Sequence, residues 1–301
     1  IGLRLKSEDM VNSIDWDGMD GISPLHTNSE VIRIGSLSDL IHYNRELMLF
    51  DFALITGGRK SQSIPSHVRV TKPDNIFVEE GAMIEHAIIN ASEGPVYIGV
   101  GAEIHDGAII RGPVAVGNYS KIRMGAKIDS VTSIGPYCKV GGEVSHSIIF
   151  GYSNKAHEGF LGHSVIGEWC NIGADSNTSN LKNNYEPIKL WDYVVKSFVK
   201  TNLLFCGTFM GDHSKCGINT MFNSGTVVGV AANVYGSGFL RNFIPSYTWG
   251  GVSGFSVHDI EKAINTAKRV YERRSMVFGE LDENILRHVF NQTVGFRKMQ
   301  V

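Results

Sequence analysis

The chain has 301 residues, with 28 Lys and Arg against 30 Asp and Glu, for a net charge of −2. That length allows a large core or two folding units. The balanced charge, with no long basic run, argues against a nucleic-acid partner and an anionic membrane surface. No stretch approaches the roughly 18 apolar residues of a membrane span, and no signal-peptide pattern is present. The cysteines at 138, 170, 206 and 216 form no C-x-x-C pair. They read as reduced thiols of a cytoplasmic protein.

Residues 1–65 carry no repeat, and the chain opens on Ile in mid-pattern, so the natural N-terminus is expected upstream. This segment reads as the tail of an N-terminal domain plus a linker. Within it, SLSDLIHYNRELMLFDF predicts a helix, with Ser38 as its cap and Leu40, Tyr43 and Leu47 on one face. GGRKSQSIPS reads as the linker.

A different pattern governs residues 66–252. Positions 98, 104, 110, 116, 122, 128, 134 and 140 are Ile, Ile, Ile, Val, Ile, Ile, Ile and Val. Two positions before each lies a mostly small residue: Val96, Ala102, Ala108, Val114, Ser120, Ala126, Thr132 and Cys138. Neither a helix nor an ordinary strand has a period of six. One side of a triangular coil does: a short strand followed by a tight turn. The branched residue fills the prism, the small one sits near a corner, and a following glycine such as Gly99, Gly117, Gly135 or Gly141 relieves the turn. Such hexapeptide repeats signal a parallel β-helix whose coils stack face to face. Val78 and Ile84 precede the run. It returns at Ile166 and Ile172, then at Met210, Cys216, Phe222, Val228 and Val234. Each slip of phase is expected to be a projecting loop, the largest being an insertion at 173–203.

Residues 253–301 are expected to be a helical extension. SVHDIEKAINTAKRVYERR predicts a helix with Ser256 and Asp259 as a capping box. Its stripe of Val257, Ile260, Ile264, Ala267 and Tyr271 suits docking on the prism or a partner subunit. A second helix is expected from Asp282 to Phe290.

The densest polar stretch runs from Gly151 to Tyr185, where the repeat is expected to be interrupted. It holds Lys155, His157, Asn171, Asn177, Asn180, Lys182 and Asn183. Loop asparagines also serve turns, but a β-helix needs no such concentration of amides and bases.

The hexads resemble the left-handed β-helix of the bacterial hexapeptide acyltransferase superfamily. The resemblance implies a mainly β fold with a short α-containing N-terminal segment and C-terminal α-helices. Further, KAH-EGF-LG, the IG step at Ile166, NIGAD and SNTSN-LKN resemble the acetyltransferase half of the GlmU-like family. That family couples a sugar-phosphate nucleotidyltransferase to a glucosamine-1-phosphate N-acetyltransferase. FGYSNKAHEGFLG, GEWCNIGADSN and MGDHSKCGINTMFNSGTVVG are similar to its branch in Bacteroidetes-type bacteria, over about residues 38–251.

Carried over motif by motif, the resemblance implies that His157 is the catalytic histidine. It puts Asn171 and Asn180 at the substrate site, with Asn180 in the catalytic group, and Arg123 of RMGA on the sugar phosphate. Phe160 and Leu181 replace family tyrosines, and a phosphate-binding lysine falls on Ser145 or His146. Lys155, Lys182 and Asn183 are therefore assigned to the substrate in its place. Lys215, Ile218, Gly236 and Arg241 would line a groove for acetyl-CoA. Homotrimers with sites between prisms are implied, within UDP-N-acetylglucosamine synthesis for the cell envelope.

These residue types suit acyl transfer. A histidine titrating near neutrality can take the proton of an ammonium as the amine attacks a thioester. Backbone N–H groups or an Asn amide can hold the oxyanion, and Arg grips a phosphate. No glycine-rich nucleotide loop is present, so any nucleotidyltransferase activity, with its Mg2+, belongs to an upstream domain. Two rival readings remain. One is a non-catalytic trimeric scaffold for that domain, since hexads alone prove architecture. The other is a γ-carbonic-anhydrase-like zinc enzyme drawing on His146, His157, His163 and His213, although no metal ligand is assigned.

Overall fold

The computed structural model describes residues 31–298. The part of the N-terminal reading that falls on residues 1–30 lies outside the described residues. From Ile34 onward the chain forms one compact unit.

Short parallel strands repeat in the order first sheet, second sheet, third sheet. Strands Ile109–Arg111, Val114–Val116 and Lys121–Ile122 make one coil. The next coil pairs in register above it, with Ile128 on Ile110, Ile134 on Val116 and Val140 on Ile122. The first sheet has six strands and is continued by a two-stranded pair, the second has nine and the third ten. This is the expected parallel β-helix, a three-sided prism with helices at both ends.

All eight branched hexad residues point inward and are at most 3% exposed. The small position two residues earlier has a second use where it is serine. Ser120 Oγ donates to Gly135 O at 2.7 Å and accepts from Cys138 N at 2.8 Å. Ser153 and Ser214 repeat the pattern one or more coils on. Each serine satisfies corner backbone groups that no ladder reaches, which a buried corner requires.

The corner between the second and third sheets needs a left-handed backbone, and here bulky residues supply it. Tyr119, Tyr137, Tyr152, Trp169 and His213 have φ between 57° and 61°. Such a conformation costs about 1–2 kcal/mol per residue. Stacking offsets it. Ring centroids are 5.1 Å apart for Tyr119–Tyr137 and Tyr137–Tyr152, and 4.2 Å for Tyr152–Trp169. An aromatic pair contributes about 0.5–1.5 kcal/mol.

The repeat is not broken at Gly151. Strands Asn154–Lys155, Phe160–Gly162, Val165–Ile166, Asn171–Ile172 and Asn177–Thr178 carry the prism straight through the polar stretch. Shortened corners shift the phase without opening a loop. The true excursion starts after Ser179, carries the antiparallel hairpin Lys189–Asp192 with Ser197–Lys200, and rejoins at Phe209–Met210. It therefore begins later than the 173 read from sequence.

Helix α1 spans Leu37–Thr56 and lies on the second sheet, where Asn44 Nδ2 donates to Val131 O at 2.7 Å. Its cap is Ser36, not Ser38. Asp39 Oδ2 accepts from Ser36 N and Gly35 N, and Ser38 is buried inside the helix. Helices α2 (Ile260–Glu272), α3 (Glu280–Gln292) and α4 (Val294–Lys298) close the chain. Asp259 alone caps α2, accepting from Lys262 N at 3.0 Å. Ser256 instead lies in the strand Gly254–Val257 and donates to Trp249 O. Ala263, Ile264, Ala267 and Tyr271 are buried, and the Tyr271 ring stacks on Trp169 at 4.1 Å. The helix thus docks on the aromatic corner. Val257 is 48% exposed and leaves the stripe.

Candidate functional site

The corner from the third sheet back to the first gathers part of the expected site. Arg123 follows the strand Lys121–Ile122, and its N–H bonds Val140 O of the next coil. Gly141 follows Val140, and its N–H bonds Lys155 O of the coil after that. A Cβ on Gly141 would stand 3.2 Å from Arg123 Cβ and 2.6 Å from Ala156 O. Arg123 and the turn bearing His157 thus lie two coils apart, about 10 Å along the axis, separated by a residue with no side chain. His157 is exposed, and no side-chain hydrogen bond holds it among the described residues.

The corner continues past His157. Asp175 N bonds Glu158 O, and Asn219 N bonds Ala174 O. Ile218 is therefore on the same corner, 68% exposed. Gly236 is one coil further, with nothing within 4 Å of its Cβ position. Asn171 stands on the adjoining outer face of the third sheet, exposed and in register with Asn154.

Lys155 goes elsewhere. It pairs with Val140, so it occupies an inward hexad position and is only 2% exposed. Its Nζ donates to His157 O at 2.7 Å, and burial pushes its pKa down to about 8. An amine held inside the prism cannot reach a substrate phosphate, which corrects that part of its reading. Lys215 stands on the outer face of the third sheet in register with Asn171, partly buried and donating to His213 O at 2.9 Å, and burial lowers its pKa.

Asn180, Lys182, Asn183 and Arg241 lie on a different corner, between the first and second sheets. The side-chain amide of Asn180 donates to His163 Nδ1 at 2.9 Å. His163 stacks between His146 at 4.5 Å and Phe205 at 5.1 Å. An amide nitrogen only donates, so Nδ1 must be unprotonated. Burial agrees, pushing the His163 pKa down to about 4. Lys182 and Arg241, expected on substrate and cofactor respectively, line one cavity of about 750 Å3 with Lys189, Trp191 and Phe198. Asn183 is exposed beside it in sequence.

The four histidines of the zinc reading are spread over all three corners: His146 and His163 on one, His213 on the second, His157 on the third. Among the described residues no group of three or more His, Cys, Asp or Glu is placed to hold a metal ion, and no helix is long and apolar enough to cross a membrane.

Sequence reasoning missed four neighbours of the Arg123 corner. Lys121 and Lys139 point outward from the third sheet, and Arg273 and Arg274 arrive from the end of α2. Strand alternation marks the two lysines as outward-facing. Only the docking of α2 brings the arginines to them.

No described protein family matches the chain. The bifunctional protein GlmU of Methanocaldococcus jannaschii is 33% identical over 139 residues, 46% of this chain and 28% of the relative. A bifunctional sugar-1-phosphate nucleotidylyltransferase/acetyltransferase of Sulfurisphaera tokodaii is 32% identical over 93 residues, 31% of this chain and 23% of that protein. The chain therefore spans about a quarter of the length of these relatives. Among solved structures, an Arabidopsis UDP-N-acetylglucosamine acyltransferase overlaps 68% of this chain and 77% of its own, at 15% identity and a TM-score of 0.30. The expected resemblance to GlmU-named proteins is borne out at the level of sequence.

Proposed function

We propose that the chain is the N-acetyltransferase portion of a bifunctional sugar-phosphate nucleotidyltransferase/acetyltransferase. It moves acetyl from acetyl-CoA to the amine of an amino-sugar phosphate such as glucosamine 1-phosphate. The observation that carries this reading is the shared corner of Arg123 and His157, open between them at Gly141. The partial match to GlmU-named relatives supports it.

In this reading Arg123 holds the phosphate by charge-assisted bonds and Asn171 binds the sugar. The exposed imidazole of His157 removes the ammonium proton. The amine nitrogen then forms its bond to the thioester carbonyl carbon and the C–S bond breaks. Of the two protons the nitrogen gives up on becoming an amide, one passes to the departing thiolate and the other is released to water. Ile218 and Gly236 continue the same corner and offer an extended bed for the pantetheine arm. Asn180, Lys182, Asn183 and Arg241 stand one sheet away. They complete the site only when a second copy sets its corner between the first and second sheets against this one, as a homotrimer would. Exposed Ile88 and Ile109, neighbours on the outer first sheet, suit such packing. The protein would work in the cytoplasm, and any Mg2+ would serve the nucleotidyltransferase portion.

Thiol release from acetyl-CoA tests the reading, with glucosamine 1-phosphate and free glucosamine compared as acceptors. The proposal expects turnover that depends on the phosphate. Equal turnover on both sugars would remove Arg123 from its role. No turnover on any amino-sugar phosphate would overturn the proposal.

A further inference from the structure

The outer face of the third sheet carries a row set by register: Glu103, Lys121, Lys139, Asn154 and Asn171. Lys121 and Lys139 are direct partners in adjacent strands, where like charges repel. Lys121 is relieved by Glu103 at 2.7 Å. Lys139 has no carboxylate partner among the described residues.

The fold adds charge here instead of removing it. Helix α2 ends over this face, with Arg273 as its C-cap, and Arg274 Nη2 donates to Asn154 Oδ1 at 3.3 Å. Arg123 approaches from the corner side. Partial burial lowers the Lys139 pKa, and the charges of Arg274, Lys121, Arg123 and Arg273 lower it further. Arg123, Arg273 and Arg274 form no ion pair among the described residues. Five cations and one carboxylate on a chain of net charge −2 concentrate repulsion where none is needed for folding. The arrangement is stable once a multiply charged anion lies on it.

We propose that this face is a diphosphate site, in which Lys139, Arg273 and Arg274 hold one phosphoryl group and Arg123 the other. Rows of Lys and paired Arg suit a diphosphate, which presents several oxygens to several donors. The inference deepens the acetyltransferase reading and rests on it for the ligand's source. The diphosphate belongs either to a nucleotide-linked amino sugar, whose amine would then lie toward His157, or to coenzyme A. In the first case the acceptor site also takes a nucleoside-diphosphate amino sugar, which competes with the sugar monophosphate.

The test is calorimetric titration of the whole chain with inorganic pyrophosphate, then competition with UDP and with coenzyme A. Pyrophosphate is expected to bind, with affinity falling as salt rises. Lys139→Gln and Arg274→Gln should each weaken it about tenfold or more, and Lys127→Gln, on the first sheet, should leave it unchanged. Far-UV circular dichroism checks that the variants fold. Displacement by UDP and not coenzyme A assigns the nucleotide-linked acceptor, and the reverse assigns the donor. No pyrophosphate binding, or binding equal in wild type and both variants, overturns the proposal. If acetyl transfer is absent but pyrophosphate binds and is lost in the variants, the site stands and the acetyltransferase reading falls.

Discussion

Arg123 and His157 share one corner of the prism, and Gly141 lies in the coil between them. With no side chain there, the surface between the two turns is left open. Gly141→Ala would drive a Cβ to 2.6 Å from Ala156 O, a backbone atom that cannot swing aside. Overpacking of this kind costs about 1–3 kcal/mol. The expected outcome is a lower Tm together with a turnover loss larger than the stability change explains, because both functional turns move. Turnover equal to wild type would separate the corner from the chemistry.

Lys155 makes a different prediction. It fills an inward position that β-branched aliphatics occupy in neighbouring coils, and among the described residues its ammonium donates one hydrogen bond, to the His157 carbonyl. Its pKa is pushed down to about 8 from an unfolded value near 10.5. Between those values the unfolded chain binds the extra proton, so wild-type stability rises with pH across that window. Lys155→Ile should therefore be more stable than wild type at pH 7, with the gap closing from about pH 8 to about 10.5. Its turnover should fall, since the His157 turn loses its anchor. Thermal unfolding across pH reads the first part, and a gap that does not vary with pH would contradict it.

Acid should loosen the prism at two corners. Burial pushes His163 and His213 down to about 4, against about 6.5 when unfolded. Their contribution is complete above about pH 6.5 and is lost as pH falls toward 4, because only the unfolded state takes up the protons there. Tm is expected to drop over that interval. His163→Gln, which keeps a polar partner for Asn180, should flatten part of the slope. An unchanged slope in this variant would mean that His163 does not titrate as its burial demands.

The division of the expected site between two corners has its own signature. A homotrimer that joins His157 of one copy to Asn180 of the next should show complementation. Mixing His157→Ala with Asn180→Ala chains, after dissociation and reassembly, should recover activity that neither variant has alone. No recovery, with mixed trimers verified by mass spectrometry, would place both residues in one copy's site or remove Asn180.

The hexads made the prism legible because a buried triangular coil tolerates only one residue size at each inward position. Ile98 through Val140 are therefore spaced without error. The reading weakened after Val140, where shortened corners shift the phase and hide Lys155 as an inward residue. Its charge then looked like a ligand for substrate, although its register with Val140 was the stronger signal. Ser38 and Ser256 failed as caps for a similar reason. Ser36 and Asp259 lie within three residues of each and compete for the same backbone N–H groups. Arg273 and Arg274 were not legible as site residues at all, since only the stacking of Tyr271 on Trp169 brings the end of α2 to the third sheet.

The most direct test of the central claim is turnover of His157→Ala, measured as thiol released from acetyl-CoA with glucosamine 1-phosphate. His157 is exposed and, among the described residues, its side chain makes no hydrogen bond, so folding should be intact and Tm unchanged. Losing a general base should lower kcat about 10²–10⁴-fold with little change in KM. Wild-type turnover in the variant would contradict the account.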